Sequence, residues 1–340
     1  MATKILIDSN IPFIKGVFEP YFDVDYISGA EITPQSVADA DVMVIRTRTK
    51  CDASLLEGSR VGMIATATIG FDHIDTRYCS ERGIAVQRAA GCNAYGVVQY
   101  VTAALVHHGI TPGARVAVVG VGSVGGALAA RLKEWGFEVM MVDPPRSIEE
   151  GPARFVSLKE AVAAADVVTL HVPLTLCGCH RTESMADDVL FGAMKRGALF
   201  INSSRGEVVV TESLKKALGS GQVKEAVIDV WEGEPAIDRE LLSMAGIATP
   251  HIAGYSVQGK AAGTSMVVRA VAERYGITQL RQWWPDDVVT VDHSKTISWE
   301  QVCRQMPLYY DIAGDSMALK RAPESFESLR NRYRYREEFF

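Results

Sequence analysis

Residues Gly120-Val121-Gly122-Ser123-Val124-Gly125 form a G-x-G-x-x-G motif between an apolar run, Ala114–Val119, and a helix-like segment, Gly126–Trp135. In this motif the first glycine permits a tight turn, the second lets a diphosphate approach the backbone, and the third lets helix and strand pack closely. The N-terminus of the helix then faces the negative charge of the ligand. Glu138–Val142 is typical of a second strand and leads, about 20 residues after the motif, to an acid suited to an adenosine ribose. This order predicts a dinucleotide site that contains Gly120, Gly122, Ser123, Val124, Gly125 and Asp143.

The acid at position 143 also bears on which dinucleotide binds. A carboxylate would repel the 2′-phosphate of NADP, so Asp143 favours NAD. Arg146 follows Pro144-Pro145 and is the residue type that an NADP site would use, which keeps the alternative open. We predict NAD as the cofactor.

The composition is that of an ordinary globular chain with an acidic balance. Its 340 residues suggest two or three domains, and 48% are hydrophobic and 22% charged. A net charge of -6 argues against a nucleic-acid partner, so local cations must hold any anionic substrate. Of the six cysteines, only those in Cys177-Gly178-Cys179-His180 are spaced for a metal, and no second ligand pair accompanies them. We therefore predict no metal site.

The N-terminal residues enter a strand pattern directly, without the apolar core of a signal peptide. No apolar run reaches the roughly 18 residues that a membrane-spanning helix needs. We expect a cytoplasmic protein with no membrane partner.

Residues 1–90 alternate strand and helix patterns. Strands are predicted at 4–7, 41–46 and 63–67, with helical spacing at 34–40 and 53–56, as in a parallel sheet covered on its faces. Ligands of such sheets lie beyond the carboxyl ends of the strands. Two polar segments follow strands there, Arg46-Thr47-Arg48-Thr49-Lys50 and Thr68–His73, and they suit an anionic substrate. A solvated surface loop is an equal alternative for the basic segment.

The rest of the chain repeats the alternation. A helix from Ala94 to His108, capped by Asn93, marks a domain crossing, and strands are predicted at 116–119, 138–142, 167–171, 198–202 and 226–229. A later helix at 259–275 returns the chain to the first domain. The predicted fold is α/β, with two Rossmann-like doubly wound parallel-sheet domains and a small C-terminal dimerisation region. The boundaries are 1–93 with 256–280 for a flavodoxin-like substrate domain, 94–255 for the Rossmann domain, and 281–340 for the C-terminal region.

Three strand-like runs end near Arg205, Glu234 and His251. Each residue alone has an ordinary interpretation: a surface arginine, an acid at a helix start and a packed loop histidine. Their segments resemble the signature motifs of the D-isomer-specific 2-hydroxyacid dehydrogenases: Asn202–Val209 (NSSRGEVV), Asp229–Pro235 (DVWEGEP) and Thr249–Gly254 (TPHIAG). The resemblance covers nearly the whole chain and implies an NAD-dependent dehydrogenase.

Within that family, the chain resembles a branch that oxidises a phosphorylated 2-hydroxy acid and carries an added dimerisation domain, here Tyr310-Asp311-Ile312 and 326–339. The resemblance therefore implies a homodimer. It also implies substrate contacts at Thr47, Thr68 and Tyr255, and cofactor contacts at Val172, Asp229 and Gly254. Arg46 and Lys260 are added candidates for binding the substrate's charge. The alternatives are another D-2-hydroxyacid dehydrogenase, acting on phosphoglycerate, glyoxylate or hydroxypyruvate, and a non-enzymatic NAD-sensing scaffold.

The chemistry of such an oxidation gives each of the three residues a role. His251 suits the base that takes the hydroxyl proton, because the ordinary pKa of histidine lies near 6.5. Glu234 would orient the imidazole and stabilise the imidazolium that forms. Arg205 would bind the substrate carboxylate through two parallel hydrogen bonds, a geometry that lysine lacks. These three residues are the predicted catalytic set.

Overall fold

A computed structural model of the chain describes residues 3–340, which divide into two compact units. The first unit contains residues up to 93 together with Ser256–Thr290, and the second contains Ala94–Tyr255 together with Val291–Phe340. In chain order the strands are β1 (Lys4–Asp8), β2 (Asp23–Ile27), β3 (Val42–Ile45), β4 (Met63–Thr66), β5 (Ala85–Arg88), β6 (Arg115–Val119), β7 (Glu138–Val142), β8 (Val167–Leu170), β9 (Ala198–Asn202), β10 (Val223–Ile228) and β11 (Ile247–Ala248).

The α-helices, in the same order, are α1 (Pro34–Val37), α2 (Ala53–Leu56), α3 (Thr76–Glu81), α4 (Ala94–His107), α5 (Ser123–Glu134), α6 (Pro144–Glu150), α7 (Leu158–Ala164), α8 (Asp188–Ala193), α9 (Thr211–Gly219), α10 (Arg239–Met244), α11 (Val257–Tyr275), α12 (Trp299–Tyr309), α13 (Ile312–Arg321) and α14 (Phe326–Asn331). Within residues 3–340, no helix combines the length and the apolar character needed to span a bilayer.

The first unit contains a five-stranded parallel sheet in the order β2-β1-β3-β4-β5. The central strands β3 and β4 are buried along their whole length, because helices cover both faces of a parallel sheet. Helix α11 packs Val267, Val268 and Val271 into the same core as β1 and β3. The sequence did not predict β2 and β5, since these edge strands are polar and partly exposed and lack a continuous apolar run.

The second unit contains a six-stranded parallel sheet in the order β11-β10-β9-β8-β6-β7. The order reverses between β6 and β8, and ligands of such sheets bind at this switch point, outside the carboxyl ends of the strands. Two apolar cores cover the two faces of the sheet. The prediction of two doubly wound parallel sheets is confirmed, and the predicted strands agree with the observed ones to within a few residues.

Residues 291–340 form three helices and a terminal segment within the second unit. Helix α13 is tied to the edge strand β11 by a hydrogen bond from the Ala248 N–H to Ser316 Oγ, 2.9 Å long. Leu319 and Phe326 are buried in one core of the sheet, and the Phe340 ring packs edge-on against Trp135 with ring centroids 5.3 Å apart. The sequence did not predict these helices. A dimerisation role for this region stays a prediction.

Candidate active site

The glycine motif has the geometry of a ligand cradle. A Cβ atom placed on Gly120, whose φ is +87°, would lie 2.7 Å from the carbonyl carbon of His171, and one on Gly125 would lie 1.9 Å from the Gly120 oxygen. A Cβ on Gly122 would meet nothing within 4 Å. The first and third glycines are therefore required by the fold itself, whereas the second leaves open space at the start of α5. That space fits the close approach of a diphosphate to the N-terminus of a helix.

The predicted ribose ligand, Asp143, closes the glycine loop. Its carboxylate accepts the Val121 N–H at 2.8 Å and the Arg146 N–H at 3.1 Å, and it caps α6. The Arg146 guanidinium bonds to Glu150 at 2.6 Å and also donates to the Val121 carbonyl. Because Glu150 balances the charge of Arg146, this arginine is poorly placed to take a 2′-phosphate, which supports NAD over NADP.

The other predicted cofactor residues lie around the same edge. Val172 follows β8, and its N–H lies 2.8 Å from the position that a Gly120 Cβ would take. Ser123 is exposed at the first turn of α5, and Val124 is half-buried behind it. Gly254 is half-buried, directly after the loop that carries His251.

The three predicted catalytic residues follow three neighbouring strands. Strands β9, β10 and β11 are adjacent and parallel, so their carboxyl ends lie at one edge of the sheet. Arg205 follows β9, Glu234 follows β10 and His251 follows β11. The topology of the second unit therefore brings together three segments that are separated in the sequence.

His251 and Glu234 form a hydrogen-bonded pair. His251 Nδ1 lies 2.8 Å from Glu234 Oε2, and the other carboxylate oxygen accepts the Trp231 N–H at 2.9 Å. Burial by itself would raise the pKa of Glu234, but the bonds from His251 and Trp231 and the nearby Arg330 guanidinium hold that pKa below its ordinary value. A carboxylate can only accept, so Nδ1 carries the hydrogen and Nε2 is the atom that can take a proton.

The loop that carries His251 has a constrained backbone. His251 has a φ of 58°, an uncommon conformation for a residue with a side chain. The buried Asp229 carboxylate holds this loop: it accepts the Thr249 hydroxyl and the Ile252 N–H, each at 2.7 Å, and the Ala253 N–H at 2.9 Å. Burial raises the pKa of Asp229 above its ordinary value. Its predicted contact with the nicotinamide stays a prediction, and its role in fixing the loop was missed.

A second support for the loop comes from the C-terminal segment. The Arg336 guanidinium is buried and donates to the carbonyls of Ile252, at 3.0 Å, Gly96, at 2.8 Å, and Ala253. It also lies over the Tyr310 ring, 4.4 Å from the centroid. Sequence reasoning missed Arg336, because alternating arginines and aromatics in a charged tail are typical of an exposed surface.

Arg205 lies in a loop that packs tightly on its neighbour. The Asn202 side chain donates to the Arg205 carbonyl at 2.9 Å, and Arg205 Nη1 donates to the Ser204 carbonyl at 2.8 Å. A Cβ on Gly206 would lie 2.0 Å from the carbonyl carbon of Trp231. Only glycine permits this approach, which brings the loop after β9 against the loop that holds Glu234.

The predicted substrate residues differ in their surroundings. Thr47 is exposed in a turn of the first unit. The Thr68 hydroxyl, also in that unit, bonds to the Thr66 hydroxyl at 2.8 Å and donates to the Gly70 carbonyl at 2.9 Å. Tyr255 belongs to the second unit, where its N–H donates to the Ile252 carbonyl at 2.8 Å.

The two added candidates for substrate charge also lie in the first unit. Arg46 pairs with the fully buried Asp8, with 2.8 Å between Nε and Oδ2, so its charge is already balanced and its suggested role is weakened. Lys260 is half-buried in α11. Within residues 3–340, no cluster of three or more His, Cys, Asp or Glu side chains is arranged to hold a metal ion.

The chain is also similar to known proteins. Residues 101–253 match the family model described as D-isomer specific 2-hydroxyacid dehydrogenase, NAD binding domain. The chain is 45% identical to the erythronate-4-phosphate dehydrogenase of Bacteroides fragilis, with 98% of this chain and 97% of that protein covered. It is 40% identical to the protein of that name in Bacteroides thetaiotaomicron, with 98% and 97% covered. A solved structure of NAD-bound 3-phosphoglycerate dehydrogenase from Entamoeba histolytica has a TM-score of 0.68 at 20% identity, covers 83% of this chain and is itself 98% covered.

The fold, with a paired histidine and glutamate at the same edge of the sheet as a glycine-rich loop, and the family match together define an NAD-dependent dehydrogenase. The chain belongs to the D-isomer-specific 2-hydroxyacid dehydrogenase family. The resemblance inferred from its three strand-end motifs is confirmed, and so is NAD as the cofactor.

Proposed function

We propose that the chain oxidises 4-phospho-D-erythronate to 2-oxo-3-hydroxy-4-phosphobutanoate with NAD, as a step of pyridoxine biosynthesis. Full-length similarity to proteins named erythronate-4-phosphate dehydrogenase supports this substrate. The observation that carries the chemistry is the 2.8 Å bond between His251 Nδ1 and Glu234 Oε2. It orients an imidazole whose Nε2 can accept the proton of a 2-hydroxyl group.

In this mechanism the proton and the hydride leave the substrate for different acceptors. His251 Nε2 takes the hydroxyl proton, and Glu234 stabilises the imidazolium that results. Bound NAD supplies the hydride acceptor, so the carbinol carbon becomes the carbonyl carbon of a 2-oxo acid. Asp229 and Arg336 keep the His251 loop in its uncommon conformation before the substrate arrives, which lowers the cost of orienting the base.

The other predicted site residues would bind the 2-hydroxy acid and NAD. Arg205 would hold the substrate carboxylate and polarise the developing carbonyl. Thr47, Thr68 and Tyr255 would contact the substrate, and backbone N–H groups from Thr68 to Gly70 would also serve an anionic group. Gly120, Gly122, Asp143 and Val172 would hold the adenosine half of NAD, with Asp229 and Gly254 near the nicotinamide.

We further propose a cytoplasmic homodimer. Cys51, Cys79, Cys177, Cys179 and Cys303 form no disulfide within residues 3–340, which fits a reducing compartment. Dimerisation would use the C-terminal region, where Leu308 and Met317 are exposed apolar side chains. Sedimentation equilibrium of the purified chain measures the oligomeric state, and a monomer at micromolar concentration would contradict this assembly.

Steady-state kinetics test the substrate. Initial rates of NADH formation are measured with 4-phospho-D-erythronate and 3-phosphoglycerate, and rates of NADH consumption with glyoxylate and hydroxypyruvate. We expect the highest kcat/KM with the phosphoerythronate couple. A higher kcat/KM with another acid would assign the chain to a different member of the family, and no turnover with any of them would favour an NAD-sensing scaffold.

A further inference from the structure

The C-terminal helix α14 places a largely buried cation beside Glu234, the carboxylate that bonds to the predicted base. Only 14% of the Arg330 side chain is exposed. Its Nε donates to the Tyr255 hydroxyl at 3.3 Å, and its Nη1 lies 3.7 Å from Glu234 Oε2 and 3.9 Å from Glu327 Oε1. Arg330 therefore contacts the very carboxylate oxygen that bonds to the His251 imidazole.

Arg330 lies outside the signature motifs of the family. The matching family model ends at residue 253, whereas α14 begins at Phe326. Arg330 is also unlike its neighbours in the tail, since Arg332 and Arg334 are exposed. Its burial beside Glu234 and Tyr255 needs an explanation, because an arginine in a charged tail is normally solvated.

We propose that Arg330 is a positioning residue for the His251–Glu234 pair: it fixes the Glu234 carboxylate and Tyr255, and its positive charge disfavours the imidazolium form of His251. The inference rests on the base role of His251 in the proposed function. Arg330 acts through Glu234 and takes no proton itself. Its effect is to keep His251 able to accept a proton at lower pH than the pair alone would allow.

Other groups near the His251–Glu234 pair also affect the charge on the imidazole. Asp229 is buried under the His251 loop, and its negative charge favours the imidazolium. Glu327, on the same helix as Arg330, partly offsets the guanidinium. The Tyr255 ring packs edge-on against the rings of Tyr333 and Tyr335, with centroids 6.2 and 6.0 Å away. Within residues 3–340, Arg330 is thus a cation in contact with Glu234, whereas the buried Arg336 guanidinium interacts with Asp229. Removal of Arg330 leaves Glu234 without this opposing charge.

The test is the pH dependence of kcat/KM for Arg330→Gln, Arg330→Lys and the control Arg332→Gln, measured with the best substrate of the unaltered enzyme. A positive charge within about 4–6 Å of an ionisable group disfavours protonation of that group, and its loss typically raises the proton affinity of the group by one pH unit or more. We therefore expect the acidic limb of the Arg330→Gln profile to move to higher pH by about one unit. Arg330→Lys keeps the positive charge, so its acidic limb should lie close to that of the unaltered enzyme. Arg332→Gln removes an exposed charge two residues away and leaves the profile unchanged.

Other outcomes would overturn the proposal. A raised KM with the acidic limb in place would make Arg330 a direct substrate ligand, and an unchanged profile with a lower melting temperature would make it a structural residue only. NAD affinity and the melting temperature of each variant are measured in parallel. If Arg330→Gln does not fold, Glu327→Gln provides the second test, because removal of this acid must move the limb to lower pH. The pH profile is measured with whichever 2-hydroxy acid the enzyme oxidises best. The test of Arg330 can therefore fail or succeed even if 4-phospho-D-erythronate is not the substrate.

Discussion

The two sheets present polar loops at the carboxyl ends of their strands, but the loops differ in how firmly they are held. In the second unit, Asp229 and Glu234 are each bound through both carboxylate oxygens, and the loop between β11 and α11 is fixed by Arg336 as well. In the first unit, Arg46 is anchored on the buried Asp8, but the neighbouring Thr47 is exposed, and the Thr68 hydroxyl bonds to Thr66 and Gly70 of its own segment.

The difference follows from what each loop must do. A base and the carboxylate that orients it have to be held to within a fraction of an ångström, because a misplaced base slows proton transfer. A loop that recognises the substrate has only to offer its groups when the ligand binds. Substitutions of His251 and Glu234 should therefore lower kcat, whereas those of Thr47 and Thr68 should mainly raise KM.

The largest effect is expected for His251→Ala. Removal of the general base should lower kcat by at least about 10²-fold, the lower end of what such a group contributes. NAD affinity, measured by fluorescence titration, should stay the same, because no predicted cofactor contact is removed. Unchanged turnover would refute the role of His251 and remove the contrast between the two loops.

A smaller effect is expected at the glycine motif. Gly122→Val adds atoms where a Cβ meets no protein atom within 4 Å, so the fold should be kept while the Kd for NAD rises. We expect an increase of tenfold or more, about 1.4 kcal/mol. Gly125→Val is the matched control: its Cβ would lie 1.9 Å from the Gly120 oxygen, so it should destabilise the fold itself by about 1–3 kcal/mol.

Calorimetric titration of NAD and a melting curve on each glycine variant separate the two effects. If Gly122→Val binds NAD as the unaltered chain does, the diphosphate does not approach the backbone at this glycine. The placement of the cofactor would then have to change, although the His251–Glu234 pair would remain.

The smallest effect is expected for Thr47→Val in the first unit. Loss of one hydrogen bond of about 0.5–1.5 kcal/mol should raise KM severalfold and leave kcat unchanged. Thr47→Ser keeps the hydroxyl and should retain the original KM. A fall in kcat without a change in KM would show that this exposed loop takes part in orienting the reacting groups, which would contradict the contrast drawn between the units.

Much of the fold and part of the site were predictable from the sequence, because their signals lie in contiguous residues. The buried central strands appear in the sequence as short apolar runs. In the glycine motif, consecutive residues form the turn, leave space for the ligand and begin the helix. Arg205, Glu234 and His251 each follow such a run, so a parallel sheet was enough to predict that they meet at one edge. The edge strands β2 and β5 escaped prediction because half-exposed strands have no such run.

Only the tertiary structure decided which residues hold the catalytic pair. Arg336 reaches the carbonyl of Ile252, 84 positions earlier, and Arg330 reaches Tyr255, 75 positions earlier. In the sequence these arginines are no different from the exposed Arg332 and Arg334. Burial of a charged side chain depends on which carbonyls and carboxylates the fold brings around it, and that arrangement comes from distant segments packing together. The sequence by itself therefore determined the class of chemistry, and the packing of the C-terminal segment determined how its groups are held.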